Sequence, residues 1–131
     1  MKIALGLGCD RGTPVATLRQ AIDDALAMAT VTLADVQAVA SVDLKADEIG
    51  LAELAQAHGW TIRFYPACEL ATVDVPNPSE TVRKYTGTPS VSEAAAILVA
   101  GTDKSYLLIE KHKLRGPDGR NATVSIARMS Q

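Results

Sequence analysis

The sequence predicts an α/β fold: a single three-layer domain whose mixed sheet has a parallel βαβαβ first half and a C-terminal antiparallel hairpin. Between residues 3 and 65, short apolar runs alternate with amphipathic helical segments, which is the pattern of βαβ units. Two strand-like runs near the C-terminus flank a turn rich in glycine, proline, aspartate and asparagine at 116–121. The chain has 131 residues, enough for one hydrophobic core and too few for two ordinary domains. Residues 1–131 are therefore expected to form a single domain.

The first strand, residues 3–7, leads through a glycine-containing stretch into an amphipathic helix. Thr13 suits the N-cap of this helix and Pro14 its first position. A helix start carries unpaired N–H groups and partial positive charge, and Arg11 adds a full charge beside them. The stretch therefore predicts an anion site with Arg11, Gly12 and Thr13 as ligand-binding residues. The alternative is a tight turn that needs its glycines for backbone reasons alone. Apolar residues at steps of three or four define the helix face: Val15, Leu18, Ile22 and Leu26.

The glycines of this stretch are Gly6, Gly8 and Gly12, and their spacing differs from that of nucleotide-binding loops. It is one residue longer than the dinucleotide fingerprint, and no Gly-Lys-Ser/Thr sequence follows. A nucleotide- or phosphate-binding module therefore stays an alternative that the spacing disfavours.

Further strands and helices follow from the same two periodicities. The second helix ends at Gly59, as helices commonly do at glycine, and its apolar face includes His58, which is expected to pack near the helix end. Ser90 and Glu93 match a capping box in front of an alanine-rich helix. The remaining predicted segments are strands at 36–42, 60–65, 106–110 and 123–129, a loop at 71–79, and helices at 79–85 and 94–100.

In a parallel βαβαβ arrangement, the loops that follow the strands gather at the carboxyl edge of the sheet. Open α/β sheets usually bind their ligands there. Residues 9–13, 43–48 and 66–70 are expected to meet at this edge. Lys45 is a candidate for holding an acidic group of a ligand.

The candidate catalytic residues at this edge are Cys9, Asp43 and Glu48. Carboxylates can transfer protons, and Arg11 together with the helix start would lower the pKa of the Cys9 thiol. The alternatives are that Glu48 favours the start of the next helix and that Cys9 fills the turn as a small residue.

A second group of candidate binding residues lies later in the chain. Another helix start offers another anion site, and the residues around it could wrap an acidic group. The alternatives are a capping box and solvated charges. Taken with Arg11 and Lys45, these residues favour a ligand that bears several negative groups. The group is Thr86, Gly87, Ser90, Glu93 and Lys111.

Composition excludes several classes of partner. The net charge of −2 argues against nucleic acid, which usually requires a basic face. No apolar run approaches the length of a membrane span, and the N-terminus does not resemble a signal peptide, so a cytoplasmic location is expected. The 2 cysteines and 2 histidines are too few and too scattered for a zinc site. Neither a metal nor a cofactor is therefore expected.

Three blocks together resemble one family. They are GLGCDRGT at 6–13, SVDLKADEIGL at 41–51, and TGTPSVSEAAA at 86–96 followed by LIEK at 108–111. In this order they resemble the cobalamin-biosynthesis family formed by the stand-alone CobE protein and the C-terminal domain of CbiG, the cobalt-precorrin 5A hydrolase. The resemblance extends from residue 2 to about residue 127.

The resemblance implies a role in making the corrin ring of vitamin B12, with a corrin or precorrin intermediate as ligand and other enzymes of the pathway as further partners. It leaves open whether the chain is a hydrolase-like enzyme or a non-catalytic carrier of an intermediate. The larger hydrolase has an additional N-terminal region, so a chain of this length is more similar to CobE. The motif residues carried over are Cys9, Arg11, Gly12, Thr13, Asp43, Lys45, Glu48, Thr86, Gly87, Ser90, Glu93 and Lys111.

Overall fold

The computed structural model describes residues 1–76 and 91–129, which form one five-stranded sheet with helices on both faces. The predicted helix at 79–85 and the end of the predicted loop at 71–79 lie outside the described residues. The strands are β1 (Ile3–Cys9), β2 (Val36–Val42), β3 (Ile62–Tyr65), β4 (Leu107–Arg115) and β5 (Asn121–Arg128). The helices are α1 (Val15–Ala29), α2 (Ile49–His58), α3 (Ala67–Leu70) and α4 (Val91–Ala100).

The sheet has the strand order β3-β2-β1-β5-β4. Strands β1, β2 and β3 are parallel neighbours, whereas β5 is antiparallel to both β1 and β4. The mixed sheet with a parallel first half and a C-terminal hairpin is therefore confirmed. Because β1 lies at the centre, the loop that follows it has neighbours on both sides.

Alternating side chains of β1 face two different helical layers. Ile3, Leu5 and Leu7 are fully buried against α1 and α2, whose contributions to this core include Leu18 and Leu54. The period of two in a strand and about four in a helix produces this burial, so the predicted amphipathic faces become the core.

Helix α4 packs against the opposite face of β1 at very short range. A Cβ atom on Gly6 would overlap the carbonyl oxygen of Ser92 and would lie 2.6 Å from the backbone nitrogen of Ala96. Ala4 packs against Ala96 and Ala100 on the same face. Since Gly6 faces the beginning of α4 and Ala4 faces its end, the helix runs antiparallel to β1. Its N-terminal end therefore points to the carboxyl edge of the sheet.

The extent of β1 corrects the interpretation of the glycine stretch. Strand β1 continues to Cys9, which pairs with Ala122 of β5, so Gly6 and Gly8 belong to the strand and not to a turn. A Cβ atom on Gly8 would lie 2.5 Å from the hydroxyl oxygen of Thr123. These two glycines therefore permit close packing, and only Gly12, with φ of 81°, is a loop glycine.

Two further boundaries differ from the prediction. Strand β4 continues to Arg115 because its pairing with β5 persists to the turn, and Lys111 consequently lies within the strand rather than at its end. Trp60 lies outside β3 and stacks on His58 with ring centroids 4.4 Å apart. The expected packing role of His58 near the end of α2 is thus confirmed, and Gly59 ends that helix with φ of 68°.

Over residues 1–76 and 91–129, no helix combines the length and the apolar character that crossing a bilayer requires.

Candidate functional site

The loop after β1 and the loop after β2 meet at the carboxyl edge of the sheet, as predicted, and Arg11 joins them. Its Nη1 lies 2.7 Å from a carboxylate oxygen of Asp47 and 2.7 Å from one of Glu48. Its Nη2 donates a hydrogen bond of 3.1 Å to the carbonyl oxygen of Leu44. The hydrogen bond with Arg11 lowers the pKa of the Asp47 carboxyl group and raises the pKa of Arg11. One guanidinium thus holds three groups of the neighbouring loop.

The anion that contacts the β1–α1 loop is supplied by the protein itself. The Glu48 side chain is only 3% exposed, and its Oε1 accepts a hydrogen bond of 2.9 Å from the backbone N–H of Gly12. The second oxygen pairs with Arg11. The predicted anion-binding geometry is therefore present, but an internal carboxylate occupies it. Both Arg11 and Gly12, expected to contact a ligand, act here as a joint between loops.

Thr13 also serves the loop and not the helix. Helix α1 begins at Val15 with Pro14 as its N-cap, so the prediction of Thr13 as N-cap is wrong by one position. The Thr13 hydroxyl donates to the carbonyl oxygen of Asp10 at 2.7 Å, and the residue is 2% exposed. Because the hydroxyl is satisfied by this turn, it does not reach the N–H groups of the helix.

The turn between β4 and β5 is a third part of this edge that sequence reasoning missed. The Asp10 carboxylate accepts hydrogen bonds from the backbone N–H and the side-chain amide of Asn121, at 2.7 and 3.0 Å. Arg120 donates through Nε to the carbonyl oxygen of Arg11 at 3.0 Å. These contacts join residues more than 100 positions apart in the chain, so no local sequence pattern predicts them.

Burial determines the state of the Cys9 thiol. Removal from water raises the pKa of Cys9 to about 11, although the nearby Lys45 lowers it, and the effect of Arg11 is the smallest of the charges acting there. The predicted lowering of this pKa is wrong because the desolvation of the thiolate outweighs the cations. Cys9 is therefore a neutral thiol at physiological pH.

Lys45 and Asp43 are the predicted site residues that the protein leaves available. Lys45 is half-buried beside Cys9, and Asp43 is exposed. In the part of the chain that the structure describes, neither side chain makes a hydrogen bond or an ion pair. We call the edge formed by residues 9–13 after β1 and residues 43–48 after β2 the rim. Lys45 is thus a cation of the rim that can pair with a carboxylate of a ligand.

The other predicted binding residues lie elsewhere or outside the described part. Lys111 lies within β4 and lines a cleft of about 460 Å³ together with Met28, near the far end of α1. It is not brought to the loops that hold Arg11 and Lys45. Glu93 is fully buried in the first turn of α4. Three predicted residues fall outside the described residues: Thr86, Gly87 and Ser90.

The model of one protein family, described as cobalamin synthesis G C-terminus, matches residues 3–127. The chain belongs to this family. The resemblance inferred from its motifs is therefore confirmed. All of the rim residues, from Cys9 and Arg11 to Lys45 and Glu48, lie within the matched region.

Two curated proteins are similar in sequence to this member of the cobalamin synthesis G C-terminus family. The cobalt-precorrin-5A hydrolase of Priestia megaterium is 38% identical over 125 residues, which are 95% of this chain and 32% of the relative. Protein CobE of a Sinorhizobium species is 38% identical over 111 residues, which are 83% of this chain and 71% of that protein. The chain thus spans about a third of the length of the hydrolase.

Solved structures of this family share the fold. The crystal structure of CobE, a protein of the cobalamin biosynthetic pathway, has a TM-score of 0.83 at 28% identity and covers 99% of this chain and 95% of its own. Cobalamin biosynthesis protein chiG from Agrobacterium tumefaciens has a TM-score of 0.67 at 30% identity, with 98% and 99% covered. The three-layer α/β architecture is therefore the architecture of the family.

Other cavities and metal-ligand groups do not add to the rim of this family member. A second cleft of about 590 Å³ lies between the segment after α3, which includes Asp74, and the segment after α4, which includes Thr102 and Lys104. It is at the end of α4 opposite the carboxyl edge. Within residues 1–76 and 91–129, no three side chains of histidine, cysteine, aspartate or glutamate form a metal-binding group.

Proposed function

We propose that this family member binds a corrin or precorrin intermediate of cobalamin biosynthesis, a ring that bears several carboxylates, at the carboxyl edge of its sheet. The observation that carries the proposal is the rim formed by the β1–α1 and β2–α2 loops, where Lys45 is half-buried and has no ion pair among the described residues. The printed names of the relatives refer to the same pathway. A cytoplasmic location stays a prediction.

The rim suits a carboxylated ligand because its cation is placed before the ligand arrives. Arg11 fixes the β2–α2 loop through Leu44, Asp47 and Glu48, so Lys45 is carried on an ordered segment. A charge-assisted hydrogen bond contributes about 1.5–3 kcal/mol at best, and exposed ion pairs contribute less. Lys45 alone cannot hold a large ring, so further contacts must act with it.

The reactive side chains of the rim favour binding or transfer of an intermediate over covalent catalysis. A nucleophilic Cys9 requires its thiolate, and burial raises its pKa to about 11. Glu48 is already bonded to Gly12 and Arg11. A carrier that shields a labile intermediate and passes it to an enzyme of the pathway is therefore the form of the proposal that the geometry supports best. Turnover through Cys9, Asp43 or Glu48 is the second candidate.

A titration with cobyrinic acid, a corrin with free peripheral carboxylates, tests the binding. We expect the corrin absorption bands to shift and saturate with cobyrinic acid but not with its methyl ester, which has the same ring without the charges. Lys45→Gln should weaken the binding by about fivefold to tenfold. Lys2→Gln, which changes an exposed lysine at the opposite edge of the sheet, is the matched control. Equal binding of acid and ester, or no shift with either, would refute the proposal.

Incubation with pathway intermediates distinguishes a carrier from an enzyme. A carrier binds an intermediate and releases it unchanged, both alone and with neighbouring pathway enzymes present. An enzyme forms product, and the product is lost in at least one of the alanine variants of Cys9, Asp43 and Glu48. Product formation by the wild-type chain alone would therefore exclude the carrier form.

A nucleotide- or phosphate-binding module receives little support from this geometry. Gly6 and Gly8 lie inside β1, and the N–H of Gly12 is bonded to Glu48. A ligand that binds only the folded state must raise its stability. We therefore expect no rise in Tm with ATP, NAD or inorganic phosphate, and a dose-dependent rise would revive this alternative.

A further inference from the structure

Two large apolar side chains close to Lys45 in the sequence are exposed to solvent, Leu44 in the β2–α2 loop and Ile49 at the first position of α2. Leu44 is 50% exposed, and Ile49 is 75% exposed. Single exposed hydrophobic residues are common on protein surfaces and need no explanation. These two, however, occur within one short segment that also carries the available cation of the rim.

The segment that carries them is held in place from both sides. Arg11 donates to the carbonyl oxygen of Leu44 at 3.1 Å. A Cβ atom on Gly50, the residue after Ile49, would overlap the carbonyl oxygen of Thr13, so the beginning of α2 lies directly against the β1–α1 loop. A ligand that packs on an ordered surface loses less free energy to ordering than one that must order a mobile loop.

The chemistry of this surface matches a ring with a charged fringe. A corrin has a flat and largely apolar face, and its carboxylates project from the periphery. Apolar area beside a single cation is complementary to that arrangement, because the ring face leaves water while a carboxylate keeps an ionic partner. Two side chains supply only a small part of the roughly 800 Å² per partner that a stable protein interface needs. A small ring is therefore the better occupant.

We propose that Leu44 and Ile49 pack against the apolar face of the bound ring while Lys45 pairs with one of its peripheral carboxylates. This inference rests on the proposed function and adds to it two residues of the motif at 41–51 that were not among the predicted binding residues. It assigns ring recognition to the two aliphatic side chains and charge recognition to the lysine.

Single and double glutamine variants of Leu44 and Ile49, titrated with cobyrinic acid at several salt concentrations, test the assignment. Each single variant should weaken binding by about fivefold to tenfold, because the apolar contact is lost. The dependence of log Kd on log salt concentration should stay that of the wild type, whereas Lys45→Gln should make it shallower. Since both side chains are exposed, the variants should keep the wild-type circular dichroism spectrum and Tm.

Met28→Gln and Leu108→Gln are the matched controls, because these side chains are 59% and 38% exposed and lie around the cleft far from the rim. They should bind cobyrinic acid as the wild type does. Wild-type affinity in the Leu44 and Ile49 variants would overturn the inference and leave the proposed function standing. Absence of binding by the wild type would overturn both. Self-association of the wild type is a further outcome to measure. If the Leu44 and Ile49 variants abolish it and keep the wild-type affinity for the corrin, the two side chains form a protein interface. That result would also overturn the inference.

Discussion

Replacing Glu48 by alanine removes one of the two carboxylates by which the β2–α2 loop contacts the β1–α1 loop. The side chain is 3% exposed, and its Oε1 accepts the Gly12 N–H at 2.9 Å. A hydrogen bond to a charged group contributes about 1.5–3 kcal/mol. Because Gly12 is exposed, water can reach its N–H in the variant, so the lower part of this range applies. Arg11 keeps its contact with Asp47, so the variant does not leave the guanidinium without a partner.

The expected loss is therefore about 2 kcal/mol of unfolding free energy. For a chain of 131 residues this corresponds to a fall in Tm of roughly 5–8 °C. Urea denaturation followed by circular dichroism, together with calorimetry, measures both quantities. Glu48→Gln keeps an acceptor for the Gly12 N–H and should therefore lose less unfolding free energy than Glu48→Ala. Glu53→Ala, at an exposed position of α2, should change the unfolding free energy by less than about 0.5 kcal/mol.

Equal unfolding free energies for Glu48→Ala and Glu53→Ala would refute this reasoning. The hydrogen bond between Glu48 and Gly12 would then contribute nothing to the folded state, and the loops would be joined by other contacts. A loss in Glu48→Gln as large as that in Glu48→Ala would show instead that the charge is what matters.

Two further predictions concern close packing and the buried thiol. Gly6→Ala should destabilise the fold by about 2–3 kcal/mol, because its Cβ would overlap backbone atoms of α4, whereas Gly59→Ala has open space and should cost about 1 kcal/mol through its positive φ. Cys9 should react with iodoacetamide roughly a hundredfold more slowly at pH 8 than an ordinary thiol does, since its pKa is raised from 9.0 to about 11. Exposed Cys68 is the internal reference. The stabilising effect of the neutral Cys9 thiol should be complete below pH 9 and lost as the pH rises towards 11.

The outcomes that would contradict these predictions are specific. Equal unfolding free energies for the Gly6 and Gly59 variants would mean that α4 can move away from β1 without cost. Alkylation of Cys9 at pH 8 as fast as that of Cys68, measured by mass spectrometry, would mean that the thiol is not desolvated.

The secondary structure was largely predictable because its signals are local. Steps of three or four apolar residues mark α1, and Gly59 marks the end of α2, where a left-handed residue is required. The boundaries of β1 and β4 were predicted too short. Their extent depends on pairing with β5, which begins at Asn121, and strand pairing is a property of two distant segments.

The candidate site was predictable only as a place. The carboxyl edge followed from the βαβ order, and Cys9, Arg11 and Lys45 do lie there. The use of each side chain did not follow. A glycine stretch beside an arginine predicts an anion, but only the fold shows that this anion is Glu48. The motif also gave no indication that burial outweighs the cations around Cys9.

By itself the sequence determined the family, the order of strands and helices, and the edge at which loops gather. These follow from motif spacing and hydrophobic periodicity, which are properties of residues close together in the chain. Tertiary structure decided which charges are already paired, which thiol is desolvated and which glycines are there for packing. Those properties depend on distances between residues more than 100 positions apart in the chain, such as Asp10 and Asn121. Such distances exist only once the sheet has formed.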